Sequence, residues 1–359
     1  MIKNNLNSVI WKEFKIKDVF KVVNSKPYHK LNLNIENGEI PYITRTSFNN
    51  GLECFVQDRD FILNPNNTIS IGAENVTFFY QEKKYITGNK MYYLINKNIN
   101  RYTGLFITQS LQNSVKNCGF GYSKGLTGTR LKNRIVFLPI NSKGQPNWEF
   151  MENYMRKIEE KQKQKAIKYY SDKIKNLQNS LMKNKFDLNN IEWKEFKISN
   201  FFEVSGTITT HPTKLQPNGK TPRITCASTN NGLDATYDNE PTEKGKILTV
   251  DSATIGYVAY QENDFIATDH VEKIMFKNGK SMNRYLGLFI KQCIDNSVLS
   301  KYGYGYKFSQ NRIKKQIIKL PVNSKGQPNW EFMENFMRKI EYKKLNIYLD
   351  YIKNKISYN

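Results

Sequence analysis

NSKGQPNWEFMENYMRKIE, residues 141–159, returns at residues 323–341 as NSKGQPNWEFMENFMRKIE, with Tyr154 exchanged for Phe336. WKEFKI at residues 11–16 likewise returns unchanged at residues 193–198, and both pairs are separated by 182 positions (141 to 323, 11 to 193). Between these anchors the match is weaker but stays in order. IPYITRTSFNNGL from Ile40 pairs with TPRITCASTNNGL from Thr221, and RYTGLFITQSLQNSV from Arg101 with RYLGLFIKQCIDNSV from Arg284. A period this long is far from that of a solenoid, so the chain is a tandem duplication of a whole domain plus a helix.

The two copies are nearly identical at the end of each domain and in the helix that follows, and they diverge in the middle. Residues 17–39 keep little of their counterpart at 199–220. The pattern reads as one scaffold doing the same job twice while the middle does two different jobs; an exchange of the ends between copies, without functional meaning, would leave the same pattern. A duplicated enzyme would more naturally keep its catalytic centre and vary its edges.

Short β-rich runs such as Thr68–Ile71 and Ile247–Val250 sit between Asn, Gly and Pro punctuation. An Asn-Asn-Gly turn at residues 49–51 and 230–232 supplies residues that tolerate a positive φ. A helix is expected from Leu105 to Val115 and again from Leu288 to Val298. The runs Ile135–Pro139 and Ile317–Pro321 read as buried strands stopped by proline. Each globular part is thus α+β. After Pro146 and Pro328 the period becomes helical, with a stripe at Ile167, Tyr170, Ile174, Leu177 and Leu181 on a helix running to about Asn184. A second stripe is formed by Met333, Met337, Ile340, Ile347 and Tyr351. At about 1.5 Å per residue the helices reach on the order of 55 and 40 Å. Packing against each other as an antiparallel coiled coil would bury both stripes. The expected organisation is a first domain at 1–147, a central helix at 148–187, a second domain at 188–329 and a C-terminal helix at 330–359.

The 359 residues carry 55 Lys+Arg against 32 Asp+Glu, a formal net charge of +23. Such a field attracts polyanions. An AT-rich genome also enriches lysine, so the sign alone does not choose among DNA, RNA and an anionic membrane surface. No apolar run approaches the roughly 20 residues that span a bilayer. The polar start lacks the apolar block of a secretory signal. Four scattered cysteines (Cys54, Cys118, Cys226, Cys293) form no CxxC pair, which makes a reduced, cytoplasmic setting the expectation.

Catalytic signatures are absent from the sequence. His29, His211 and His270 have no metal-site spacing, no GxxxxGK[ST] loop occurs, and the Gly119-Phe120-Gly121 and Gly303-Tyr304-Gly305 pairs lack the third glycine of a dinucleotide fingerprint. Neither an Asn-Pro-Pro-aromatic motif nor a nuclease carboxylate pattern is found. The Gly-aromatic-Gly pair reads instead as a loop tip carrying an aromatic. Basic clusters recur at matched places: Lys124, Arg130, Lys132 and Arg134 in the first copy, and Lys301, Lys307, Arg312, Lys314 and Lys315 in the second. Tyr122, Tyr302, Tyr304 and Tyr306 are interleaved with them. Lys and Arg neutralise phosphates, and Arg, Asn and Gln can also read base edges.

WKEFKI, the IPYIT…NNGL block, the RLKNRIVFLPI and RIKKQIIKLPV runs and the PNWEFMEN helix starts together resemble the DNA-specificity subunit of Type I restriction–modification systems, including those serving bifunctional restriction–methylation enzymes. The resemblance covers nearly the whole chain. It implies two target-recognition domains, each reading half of a split, asymmetric sequence on double-stranded DNA. The helices would set the spacing and dock methyltransferase, or fused nuclease–methyltransferase, subunits. Those partners would hold S-adenosylmethionine and magnesium, with no cofactor or metal and no catalysis in this chain. The C-terminal helix is shorter than the central one, a departure that leaves the end of the coiled coil open. The expected DNA-facing residues, as phosphate or base contacts, are Arg45, Asn49, Lys124, Arg130 and Lys132 in the first domain. In the second they are Arg223, Asn230, Lys307, Arg312 and Lys314. Arg130 and Arg312 are also placed to pin the following strand. Two other readings stay open: a decoy or orphan subunit that binds methyltransferase without specifying methylation, and an adaptor that binds protein.

Overall fold

The computed structural model describes residues 5–57, 60–121, 124–181, 188–298 and 300–357. Residues 1–166 and 167–359 form two compact units. Tyr122 and the expected end of the central helix beyond Leu181 lie outside the described residues.

In the first repeat β1 (Trp11–Lys15), α1 (Ile16–Val19), β2 (Lys21–Asn24), β3 (Ile40–Ile43), β4 (Leu52–Val56), β5 (Thr68–Gly72), β6 (Thr77–Gln81), β7 (Ile86–Thr87) and β8 (Met91–Ile95) precede α2 (Arg101–Val115). Then follow α3 (Gly128–Lys132), β9 (Ile135–Pro139) and the long α4 (Trp148–Leu181). The second repeat gives the same order: β10 (Trp193–Lys197), α5 (Ile198–Phe201), β11 (Phe202–Gly206), β12 (Thr221–Ile224), β13 (Leu233–Tyr237), β14 (Ile247–Asp251), β15 (Val258–Gln261), β16 (Ile266–Ala267) and β17 (Val271–Phe276). It closes with α6 (Arg284–Val298), α7 (Gln310–Lys315), β18 (Ile317–Pro321) and α8 (Trp330–Ser357).

Each repeat builds three sheets. An antiparallel four-stranded sheet has the order β2-β8-β5-β6, matched by β11-β17-β14-β15. A three-stranded sheet, β4-β3-β7 or β13-β12-β16, includes one parallel pair. The repeat's two ends meet in an antiparallel ribbon, β1-β9 or β10-β18. Every residue of β5 and of β14 is buried, because both faces of these inner strands are covered. The α+β class and the duplication are both present as expected.

Helices α2 and α6 begin four residues earlier than the apolar pattern indicates. Asn100 closes a capping box with Thr103, so the backbone N–H groups of the first turn are satisfied upstream of the first apolar residue. Glycine at position 104 or 287 costs helix propensity, yet a Cβ there would lie 2.4 Å from a ring carbon of Tyr80 or Tyr260. The glycine lets the helix lie directly on the sheet. The runs at 135–139 and 317–321 are half-buried, not buried, strands. In the ribbon Val136 and Leu138 face the core while Ile135 and Phe137 are 39% and 52% exposed, the period-2 pattern of a strand with one covered face.

The first turns of the long helices belong to the domain cores, with Met151 and Met333 fully buried. Further along α4, Ile174 and Leu177 are buried, in line with the expected stripe. The stripe on α8 changes face. Ile347 and Tyr351 are 71% and 55% exposed, and the buried positions are Leu349 and Ile352. The helix first serves its own domain and then a different neighbour, so one straight line of apolar residues does not describe it. That neighbour is the 167–181 stretch of α4: Lys173 bonds Glu341 at 2.6 Å and Tyr170 meets Tyr348 edge-on at 5.1 Å. Partners advance on α4 as they retreat on α8, the order of an antiparallel pair.

Candidate nucleic-acid interface

In the first repeat three other loops meet the β5–β6 turn, residues 73–76. The Ala73 carbonyl accepts from the Leu126 N–H at 2.8 Å, and the Ala73 N–H donates to the Lys90 carbonyl at 3.1 Å. Asn75 donates through its amide to the Arg45 carbonyl at 2.9 Å. Glu74 has its side chain only 8% exposed and is ion-paired with both Arg45 and Lys90. A carboxylate this buried needs compensation, and two cations supply it. Gly72 makes room for the arrangement, since a Cβ there would lie 2.5 Å from the Thr77 hydroxyl and 3.1 Å from Arg45 Cα. The basic loop sits beside it. Lys124 lies over the Phe120 ring at 5.5 Å, and Arg130 donates to the Gly125 carbonyl at 3.2 Å. Lys132 is exposed on α3.

Arg45, Lys124 and Arg130, far apart in sequence, thus share one loop cluster. Arg130 braces the loop before its own helix, not the strand after it. Asn49 does not join them. Its turn packs at the other end of β6, where Asn50 donates to the Tyr80 carbonyl at 3.0 Å and accepts from Gln81 at 3.1 Å. Asn49 itself is exposed at φ 49°. Asn230 repeats this at φ 49°, with Asn231 donating to the Tyr260 carbonyl at 2.8 Å.

The second repeat brings the equivalent loops together with different chemistry. The Ser252 N–H donates to the His270 carbonyl at 2.9 Å, and His270 (φ 60°) keeps the left-handed backbone of Lys90 (φ 58°). Cys226 stands where Arg45 stands, its sulfur 3.3 Å from the His270 carbonyl. Burial, reinforced by Asp251, pushes its thiol up to about 12, so it is a neutral group at physiological pH. Asp251 replaces Gly72 and is spent on the turn, accepting from the Ala253 and Thr254 N–H groups at 2.8 and 3.1 Å. Glu272 accepts from Ser252 at 3.2 Å and from Gln310 at 2.9 Å, and Lys314 donates to Gln310 at 3.2 Å. Arg312 donates to the Lys307 carbonyl at 2.6 Å and stacks 3.7 Å over Tyr306, while Lys307 lies over Tyr304. Lys307, Arg312 and Lys314 are therefore gathered beside the loop cluster. The Gly-aromatic-Gly tips differ, because Phe120 packs on the core whereas Tyr304 is 83% exposed.

Arg223 is placed elsewhere. It occupies the position of Tyr42 on the three-stranded sheet, with its side chain 11% exposed and paired to Asp234 at 2.8 Å. Glu74, Lys90, Asp251 and His270 complete the clusters and are not among the residues singled out from sequence. Glu74, Lys90 and His270 are solitary polar residues in turns and Asp251 ends β14, and only their matched places in the two repeats mark them. Among the described residues no group of three His, Cys, Asp or Glu side chains is placed to hold a metal ion. No helix among them is long and apolar enough to cross a membrane.

The family model of the Type I restriction modification DNA specificity domain matches residues 9–169 and again residues 190–349. The specificity subunit S.BcgI of a Type II restriction enzyme from Heyndrickxia coagulans is 31% identical over 344 residues, covering 94% of this chain and 96% of that protein. The crystal structure of a Type-I restriction-modification system S subunit from M. genitalium matches with a TM-score of 0.51. It covers 99% of this chain and 94% of that one at 14% identity, a likeness of fold. Two copies of the domain, in the order and with the helices that the duplication dictates, place this chain in the Type I restriction modification DNA specificity domain family.

Proposed function

We propose that this chain is the non-catalytic specificity subunit of a restriction–modification complex, each repeat reading one half of a split, asymmetric target on double-stranded DNA. The observation that carries the reading is the contrast inside the duplication. The sheets, helices and ribbon are the same twice, whereas the loop clusters around residues 73–76 and 252–256 occupy the same place with different side chains and with one more residue in the second turn. Basic residues flank both clusters, as the neutralisation of phosphates requires. In this reading Lys124, Arg130, Lys132, Lys307, Arg312 and Lys314 serve the DNA backbone, Asn49 and Asn230 extend the contact, and Arg223 supports the fold behind it.

Methyltransferase subunits, or fused nuclease–methyltransferase subunits, are the proposed protein partners, and they hold the S-adenosylmethionine and magnesium. Docking of one kind of partner at both repeats is supported by exposed apolar residues at matched places on the ribbon, Trp11 with Ile135 and Trp193 with Ile317, although Phe137 of the first ribbon is replaced by Lys319, paired with Glu195, in the second. Beside each ribbon runs a groove, roughly 450 Å³ in the first repeat and 1050 Å³ in the second, the latter widened by Phe336, Met337 and Ile340 of α8. The work of such a complex is cytoplasmic. The test is methylation mapping in a methylation-free host that expresses the partner methyltransferase with and without this chain. A split motif present only with the chain is the expected result. A soluble complex that yields no motif would instead favour the decoy reading, and neither motif nor complex would favour the adaptor.

A further inference from the structure

We infer that Arg45, oriented by Glu74, is a specificity-determining residue that reads a guanine in the half-site of the first repeat, and that the second repeat has no counterpart to it. This rests on the proposed role in DNA recognition. Arg45, Glu74 and Lys90 form one unit: a carboxylate 8% exposed, with a cation on each oxygen. The pair with Glu74 runs through Nη1 of Arg45. Because a guanidinium carries five N–H donors in a rigid fork, donors remain for a second planar acceptor. The Arg45 side chain is 36% exposed, so it is open to a ligand while Glu74 holds it. A pre-oriented fork presented to the major groove matches the O6 and N7 acceptors of guanine. A lysine bound to a phosphate needs no such orientation.

The second repeat supplies the independent observation. All three members are lost together: Arg45 becomes Cys226, Lys90 becomes His270 on the same left-handed backbone, and the turn that carries Glu74 is replaced by Ser252–Gly256, one residue longer and without a carboxylate. On the same loop Thr44/Thr225, Ser47/Ser228 and the Asn-Asn-Gly turns are kept, while Thr46 and Phe48 also change, to Ala227 and Thr229. Even the glycine that admits Arg45, Gly72, is replaced by Asp251, whose oxygens are taken by Ala253 and Thr254. A scaffold element would have been kept, as the Asn-Asn-Gly turn on the same loop is. A unit exchanged wholesale is what two readers of different half-sites require.

The experiment maps methylation by the complex of this chain with its methyltransferase subunit, carrying R45K or R45A, against the unsubstituted complex. Both variants are expected to relax one guanine position of one half-site, lowering discrimination there by about 10- to 100-fold. The other half-site, which reports that the chain is folded and assembled, stays fully specified. R45K matching the unsubstituted chain, with R45A only slowing methylation at an unchanged motif, would make Arg45 a phosphate contact and overturn the inference. Loss of all methylation in both variants would make it a scaffold residue and overturn it equally. A split motif absent even from the unsubstituted complex would instead overturn the recognition reading itself.

Discussion

At the start of α2 the Asn100 amide donates to Glu152 at 2.8 Å, Arg156 lies 4.1 Å over Tyr102, and Arg101 bonds Glu159 at 3.1 Å. At the start of α6 the same network recurs. Asn283 donates to Glu334 at 2.7 Å, Arg338 lies 4.2 Å over Tyr285, and Arg284 and Tyr285 reach Glu341. The loop clusters around residues 73–76 and 252–256 share a place in the fold but differ in turn length and in almost all side-chain chemistry. Duplication has kept the joint between each domain and its long helix and released the loops. The joint must hold one geometry in both repeats, whereas two loops that read different sequences gain from differing.

The shared half of this comparison is broken most severely by truncation of Met151 or Met333, each fully buried where a helix enters its domain core. Each methionine-to-alanine change is expected to cost about 2–5 kcal/mol, and thermal unfolding of the two variants should show matched losses. Unequal losses would mean that the cores are less alike than their sequences. Gly104→Ala and Gly287→Ala come next, at roughly 1–3 kcal/mol each, because the added Cβ drives against Tyr80 or Tyr260. Denaturant titration should again give a matched pair.

Glu341 and Glu159 sharpen the comparison, since they are equivalent but not identically used. Burial by itself would raise Glu341, yet hydrogen bonds from Lys173 and Tyr285 and the charges of Lys173 and Arg284 hold it below the ordinary carboxylate range. Glu159 is lowered in the same way by Tyr102, Arg101 and Lys163. A depressed carboxylate stabilises the fold above its unfolded value, near about 4.3, and that contribution is lost as pH falls through the folded value. Glu341→Gln should therefore cost about 1–3 kcal/mol at neutral pH and progressively less below about pH 4. Glu159→Gln should follow the same pH course with a smaller loss, because only Glu341 also ties α4 to α8 through Lys173. Equal losses would remove Lys173 from the account.

The smallest effects belong to the released half. Lys124→Ala and Lys307→Ala should each weaken DNA binding by the complex nearly uniformly across sequences and lower the magnitude of its salt slope by about 1. Fluorescence anisotropy at several salt concentrations reads both. A change in sequence preference would make these lysines base readers instead.

Much of this architecture is legible in the sequence, because the repeat supplies an internal alignment and the helices declare their period. The early start of α2 was hidden because its cap residue, Asn100, is polar and lies outside the apolar pattern. Local periodicity also missed the turn of the α8 stripe, since the burial of Leu349 and Ile352 depends on α4, a partner distant in sequence. Arg45 and Lys124 could be chosen as cations, yet nothing local announced that Glu74 would hold Arg45 together with Lys90. Arg223 misled because its residue type suggested contact, whereas its matched position, Tyr42, is a buried site on a strand.

The central claim is that one repeated scaffold carries two independent readers. It is tested most directly by replacing residues 188–329 with the corresponding domain of another specificity subunit and mapping methylation by the assembled complex. The account predicts a motif in which one half changes and the other half and the spacing stay as they were. A motif altered in both halves would contradict it.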